Sequence, residues 1–277
     1  MRFFSIFLFI GLLGLSLTLT QCKKESPING TGISFTTDTL TFDTVFTSLG
    51  STTRYFKVKN TTTKDITISN IKLMGLQGNQ FRLNVDGLPG KNFDNVEVLA
   101  KDSLYIFVEV TVNPNIANAP FVIQDEILFS VKNQLQKVVL EAWGQNAYYH
   151  VGESYSMTNP PPVWLADKPH IILRLRDTLR ALEIKQGVTL NIPSGARLFF
   201  GAGAFISVDG TLNALANQGD SISFDGVRLE SYYNDRPGQW WGIIYGRTAK
   251  VNMRGCMITE STFGLSDEHI LNVIVGR

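Results

Sequence analysis

Between residues 182 and 224 the apolar positions keep a fixed beat. Leu182, Leu190, Leu198, Ile206, Ala214 and Ile222 stand eight apart, and Ile184, Ile192, Phe200, Val208, Ala216 and Phe224 follow each of them two residues later. An i, i+2 pair puts two side chains on one face of a short strand. Between the pairs stand turn residues, Pro193-Ser194-Gly195, Gly201-Ala202-Gly203, Asp209-Gly210 and Asn217-Gln218-Gly219-Asp220. Three such faces make a coil of about 24 residues, and stacked coils bury one continuous apolar column. The pattern predicts a parallel β-helix over residues 169–277. An antiparallel meander is the alternative, disfavoured because the strands are so short and no Asn-Gly type I′ turn separates them.

The preceding segment, 171–187, reads two ways. Leu175, Leu179 and Leu182 fit a helix face, while Leu182 and Ile184 fit the strand beat that follows, and strand is preferred. Arg174, Arg176 and Arg180 alternate there with Asp177 and Glu183, which marks a solvated face rather than a site for an acidic ligand.

Residues 33–147 follow a different rhythm. Tyr55 to Val58, Ile66 to Leu73, Phe81-Leu83-Val85, Leu104 to Val112, Ile127-Phe129 and Val138-Leu140 alternate with period two. Asn60 to Lys64, Asp86-Gly87, Asn113-Pro114 and Lys132-Asn133 punctuate them. About seven strands with turns every 8 to 12 residues predict a β-sandwich. Tyr148 to Lys168, with Pro160 to Pro162 in its midst, breaks both rhythms and reads as a linker.

The N-terminus belongs to neither unit. Arg2, an apolar run from Phe3 to about Leu17 and a short polar stretch before Cys22 make residues 1–21 a secretory signal. Leu19-Thr20-Gln21-Cys22 resembles a bacterial lipobox, in which the cysteine carries lipid; Leu19 fits and Gln21 departs from the usual small residue. An ordinary signal peptide followed by a stray cysteine is the other reading. Residues 22–32 then form a tether.

Composition adds exclusions. The net charge of +1 argues against a nucleic-acid partner. After Cys22 only Cys256 remains, so no disulfide within the mature chain is expected, and Cys256 reads as a small packed hydrophobe. His150, His170 and His269 are far apart in sequence and lack ligand-type neighbours, so neither a metal site nor a cofactor is expected.

Several longer motifs, "DTLTFDTVFTSLGSTTRYFKVKN", "FRLNVDG", "VEVTVNP", "EAWGQNA", "ADKP" and "RPGQWWGI", resemble a family of Bacteroidota cell-envelope lipoproteins. The resemblance covers nearly all of the mature chain. It implies an immunoglobulin-like β-sandwich followed by a right-handed, pectin-lyase-like β-helix, and an outer-membrane lipid anchor. It implies no activity. The apolar, uncapped end at "HILNVIVGR" departs from it and points to a truncated chain.

The segment 225–243 interrupts the beat and is expected to protrude as a loop, where function concentrates. Tyr232, Tyr233, Trp240 and Trp241 are candidates for stacking on sugar rings, with Asp235 and Arg236 for hydroxyls or a uronate carboxylate. The competing reading makes Pro237 to Trp240 a plain turn back to the coil. Asp209, Asp220 and Asp225 sit beside glycines, where turn chemistry alone favours aspartate. No catalytic residues can be assigned. The expectation is a non-enzymatic, lipid-anchored envelope protein binding a polysaccharide or another envelope protein. A polysaccharide lyase or glycoside hydrolase and a purely structural component are the alternatives.

Overall fold

The computed structural model describes residues 31–114, 120–176 and 181–267. The signal segment, Cys22, most of the tether, His269 and the apolar end lie outside the described residues. Every element among the described residues is a β-strand, and the strands divide into two units with separate cores.

The first unit contains β1 (Ile33–Phe35), β2 (Thr39–Phe46), β3 (Arg54–Asn60), β4 (Ile66–Leu73), β5 (Phe81–Val85), β6 (Leu88–Gly90), β7 (Asn92–Val98), β8 (Ser103–Val110), β9 (Phe121–Val131) and β10 (Gln134–Gln145). They form two five-stranded sheets, β1-β3-β8-β5-β6 and β2-β10-β9-β4-β7, in which only β2 and β10 pair in parallel. Ten strands replace the expected seven, because short strands such as β1 and β6 and the largely exposed edge strand β7 carry too few apolar residues to show a period. Ile106, Val108, Phe129 and Leu140 are fully buried between the sheets. At Lys132 and Asn133 both φ angles are positive, the geometry of a type I′ hairpin turn.

The second unit begins earlier than the sequence implied. β11 (Tyr148–Val151) and β12 (Glu153–Tyr155) lie within the expected linker, yet each pairs in parallel with a later strand. β13 (His170–Leu173), β14 (Leu182–Ile184), β15 (Thr189–Ile192), β16 (Arg197–Phe200), β17 (Phe205–Val208), β18 (Thr211–Leu215), β19 (Ile222–Gly226), β20 (Gly242–Tyr245), β21 (Lys250–Arg254), β22 (Cys256–Ile258) and β23 (Leu265–Asp267) follow. The chain visits three parallel sheets in rotation, β11-β13-β16-β19-β22, β12-β14-β17-β20-β23 and β15-β18-β21. Parallel pairing rules out the meander.

All twelve residues of the eight-residue beat are at most 3% exposed, so the sequence pattern marks the core correctly. The register is less even than the beat. Leu182 pairs with Ile206, 24 residues on, but Leu190 pairs with Leu212, 22 on, and Leu198 with Phe224, 26 on. The turn Asp209-Gly210 is two residues shorter than the one between β14 and β15, and the longer connection after β18 adds four, which takes the offset from 22 to 26. A slip of two leaves every inward side chain inward. The short turn requires glycine, since a Cβ at Gly210 would stand 2.4 Å from the carbonyl oxygens of Lys185 and Val188.

The units touch at the end of β2. The Phe46 and Phe199 rings lie 4.9 Å apart, and the Tyr149 hydroxyl donates to the Thr47 carbonyl. Pairing of Ile206 with Ile243, 37 residues on, shows where the coil is interrupted by the loop 227–241.

Candidate functional site

The loop 227–241 leaves the coil after β19 and returns at β20 without regular structure. Its return is fixed by Trp240, which is fully buried, stacks on Phe200 and donates its indole N–H to the Thr259 carbonyl at 2.8 Å. Trp240 is therefore core and unavailable to a ligand, contrary to the sequence expectation. Trp241 is half-buried, with its ring 5.2 Å from that of Phe205. Trp240 follows the turn reading.

The rest of the loop reaches the first unit. The Thr52 hydroxyl donates to Glu230 at 2.7 Å, and Arg228 Nε donates to the other carboxylate oxygen at 3.1 Å. Burial opposes ionisation of Glu230, but these hydrogen bonds prevail and hold its carboxyl below the ordinary range. Arg228 lies over the Tyr233 ring at 4.2 Å and Arg236 over the Tyr232 ring at 4.0 Å. The guanidinium groups thus occupy aromatic surface that the sequence reading reserved for sugar rings. Arg236 Nε also donates to the Tyr232 carbonyl, and Gln239 Nε2 donates to the Tyr233 carbonyl at 2.7 Å. Asp235 is exposed, with a positive φ of 58°.

Between this loop and the first unit lies a groove of about 610 Å³. Leu49, Leu173 and Phe200 make its apolar wall, and Arg228, Tyr233 and Arg236 its polar one. Its volume suits a small organic ligand, and junctions between domains are common places for such sites. Of the sequence candidates, Tyr233 and Arg236 line it, while Tyr232, Asp235, Trp240 and Trp241 do not.

Behind Gln239, Glu260 accepts hydrogen bonds from the Gly226 N–H at 2.9 Å and the Asp235 N–H at 3.3 Å. Burial, helped by the charges of Asp225 and Asp235, nevertheless pushes its carboxyl up. Asp225 accepts from the Thr259 hydroxyl. Asp220 is tied into a turn by Ser194 and the Ser221 N–H, and Asp209 belongs to the short turn described above. Cys256 is half-buried, with its thiol directed at the Ala214 carbonyl, and burial raises its pKa. Among the described residues no group of three His, Cys, Asp or Glu is arranged to hold a metal ion.

Two of the histidines, twenty residues apart in sequence, meet in the structure. His150 Nε2 lies 2.9 Å from His170 Nδ1, both rings are buried, and Trp164 stacks on each of them. His150 Nδ1 lies 2.8 Å from Glu153, and His170 Nε2 lies 2.7 Å from the Leu165 carbonyl. Parallel pairing of β11 with β13 brings together residues that are twenty apart in sequence, a relation no local pattern reveals. The proline-containing segment thus supplies Trp164 as packing for the first coil.

No known family model matches the chain, and no curated protein matches it. Among solved structures, a family 123 glycoside hydrolase from Clostridium perfringens aligns with a TM-score of 0.29 at 7% identity, over 40% of this chain and 25% of that one. An alkylpurine DNA glycosylase from Pseudomonas fluorescens, bound to DNA, aligns with a TM-score of 0.25 at 9% identity, over 41% of this chain and 31% of that one. The chain therefore spans less than a third of either structure, and these likenesses carry no argument about fold or function.

Proposed function

We propose that this protein is a lipid-anchored component of the bacterial cell envelope, held at the outer membrane through Cys22. In this reading an immunoglobulin-like β-sandwich bears a right-handed parallel β-helix, and the protein binds a glycan or a partner protein without transforming it. The groove between the units carries the reading. It combines an apolar wall with arginines held in place by tyrosines and by Glu230. Such fixed polar groups on a rigid scaffold orient a ligand. Thermal-shift titration with envelope glycans and envelope proteins tests it. A ligand that stabilises the whole chain, but not an Arg236→Ala, Tyr233→Ala variant, is expected. If nothing in the panel shifts the melting temperature, binding in the groove is wrong. Labelling with a fatty-acid analogue, lost in Cys22→Ser, tests the anchor separately.

Glu260 favours a second reading, a polysaccharide lyase or hydrolase. A carboxyl that burial pushes up, with Asp225 near it, has the makings of one member of an acid and base pair. That reading expects release of reducing ends or unsaturated uronates from a polysaccharide panel, abolished in Glu260→Gln. An inert wild-type protein rejects it.

A further inference from the structure

The outer face of the sheet β1-β3-β8-β5-β6 breaks the usual rule for a solvent-facing sheet. Phe56 and Val58 on β3, and Ile106 and Val108 on β8, point into the core, so the residues between them face outward. Outward positions normally carry polar side chains. Here they carry Tyr55, Tyr105 and Phe107, which are 55%, 39% and 37% exposed. Tyr55 is the cross-strand partner of Phe107, and Phe107 that of Asn84 on β5. The three rings form one cluster, with centroids 5.5 to 6.1 Å apart. A contiguous exposed aromatic patch on a soluble unit marks an interaction surface.

The polar groups beside the patch indicate what it contacts. A cavity of about 430 Å³ adjoins Phe107 and is lined also by Arg82, Asn84 and Glu109. The Thr53 hydroxyl donates to Glu109 at 2.6 Å, and Arg82 donates to Thr111 at 2.9 Å and to Glu109 at 3.4 Å, so these side chains are held in place. Asn84 Oδ1 is buried there without a hydrogen-bond partner. A buried acceptor without a donor is costly. Arg82 pairs with Glu109, which leaves the Lys57 ammonium, 4.4 Å from the centre of the Tyr105 ring, as a single positive charge among these side chains.

We propose that this face is a carbohydrate-binding platform for a neutral polysaccharide. Sugar rings join apolar C–H faces, which suit aromatic surfaces, to hydroxyl edges, which suit Asn84, Arg82 and Glu109. The site is separate from the inter-unit groove and rests on neither the groove reading nor the anchor. Affinity electrophoresis of the whole chain through gels containing xyloglucan, galactomannan or polygalacturonate tests it. Retardation by at least one neutral polysaccharide is expected. A Tyr55→Ala, Phe107→Ala variant is expected to weaken it at least tenfold, and Asn84→Ala to weaken it as well, while Leu135→Ala, an exposed apolar position on the other sheet of the same unit, leaves it unchanged. The single Asn84 change keeps the test decisive should the double variant fail to fold. Retardation by neither neutral polysaccharide overturns the proposal. So does loss of retardation in the Tyr233→Ala, Arg236→Ala groove variant alone, which would instead support binding in the groove.

Discussion

The Trp240 indole lies over the Phe200 ring with centroids 3.9 Å apart and planes 9° apart, closing the coil where the loop 227–241 rejoins it. Phe200 belongs to the eight-residue beat and Trp240 to the interruption, so the interruption is locked into the same apolar column. Trp240→Ala would leave a large cavity and strand the Thr259 carbonyl, at a cost of about 3–5 kcal/mol. Urea unfolding should show this loss, whereas Trp241→Ala, at a half-buried position, should cost clearly less. Equal effects would mean that Trp240 does not close the coil.

The Thr52 to Glu230 hydrogen bond joins residues 178 apart in sequence and braces the two units. Glu230 is depressed in the folded state, so its stabilising effect is complete above the ordinary glutamate pKa, about 4.3, and fades as pH falls through the lower folded value. Thr52→Val should raise the Glu230 pKa and speed proteolysis at the junction near neutral pH, the difference from the wild type shrinking as pH falls below about 4.3. An unchanged carboxyl titration by NMR would show that Thr52 does not hold Glu230.

His170 gives a second acid response at a higher pH. Burial drives its pKa from 6.5 down to about 4, with the Leu165 carbonyl pulling the other way and His150 reinforcing the fall. The unfolded chain therefore binds this proton first. Stability is fully present above about pH 6.5 and declines between there and about pH 4, by roughly 3 kcal/mol in all. Glu153, Asp167 and Lys168 are the charged groups around the pair, with Tyr148 and Tyr155 beside them. The slope of unfolding free energy against pH in this window should flatten in His170→Gln. A slope as steep as that of the wild type would exclude His170 as its source.

Gly210→Ala tests the short turn. The added methyl would stand 2.4 Å from two backbone carbonyls that cannot swing away as a side-chain tip could. A loss of more than about 2 kcal/mol is expected in denaturant unfolding, within the range of overpacked cores. Wild-type stability in this variant would mean that β17 and β18 join differently.

The sequence by itself determined which residues are buried in the second unit. An apolar pair every eight residues leaves each strand one inward face, and that holds however the strands pair. It likewise marked the hairpin at Lys132-Asn133 and the alternating cores of β5 and β8. Strand register was not legible. Slips of two residues preserve the faces, so hydrophobicity alone cannot distinguish partners 22, 24 or 26 residues away. The candidate site was legible only as an interruption of the beat. Whether an aromatic residue in it becomes core, like Trp240, or stays exposed, like Tyr232, depends on the layer the chain meets on returning. Only the tertiary structure brought Thr52 to Glu230, His150 to His170, and Tyr55 to Phe107. The last two depend on strand partners chosen by the whole sheet and the first on how loops of the two units meet, and no local pattern in the chain encodes either.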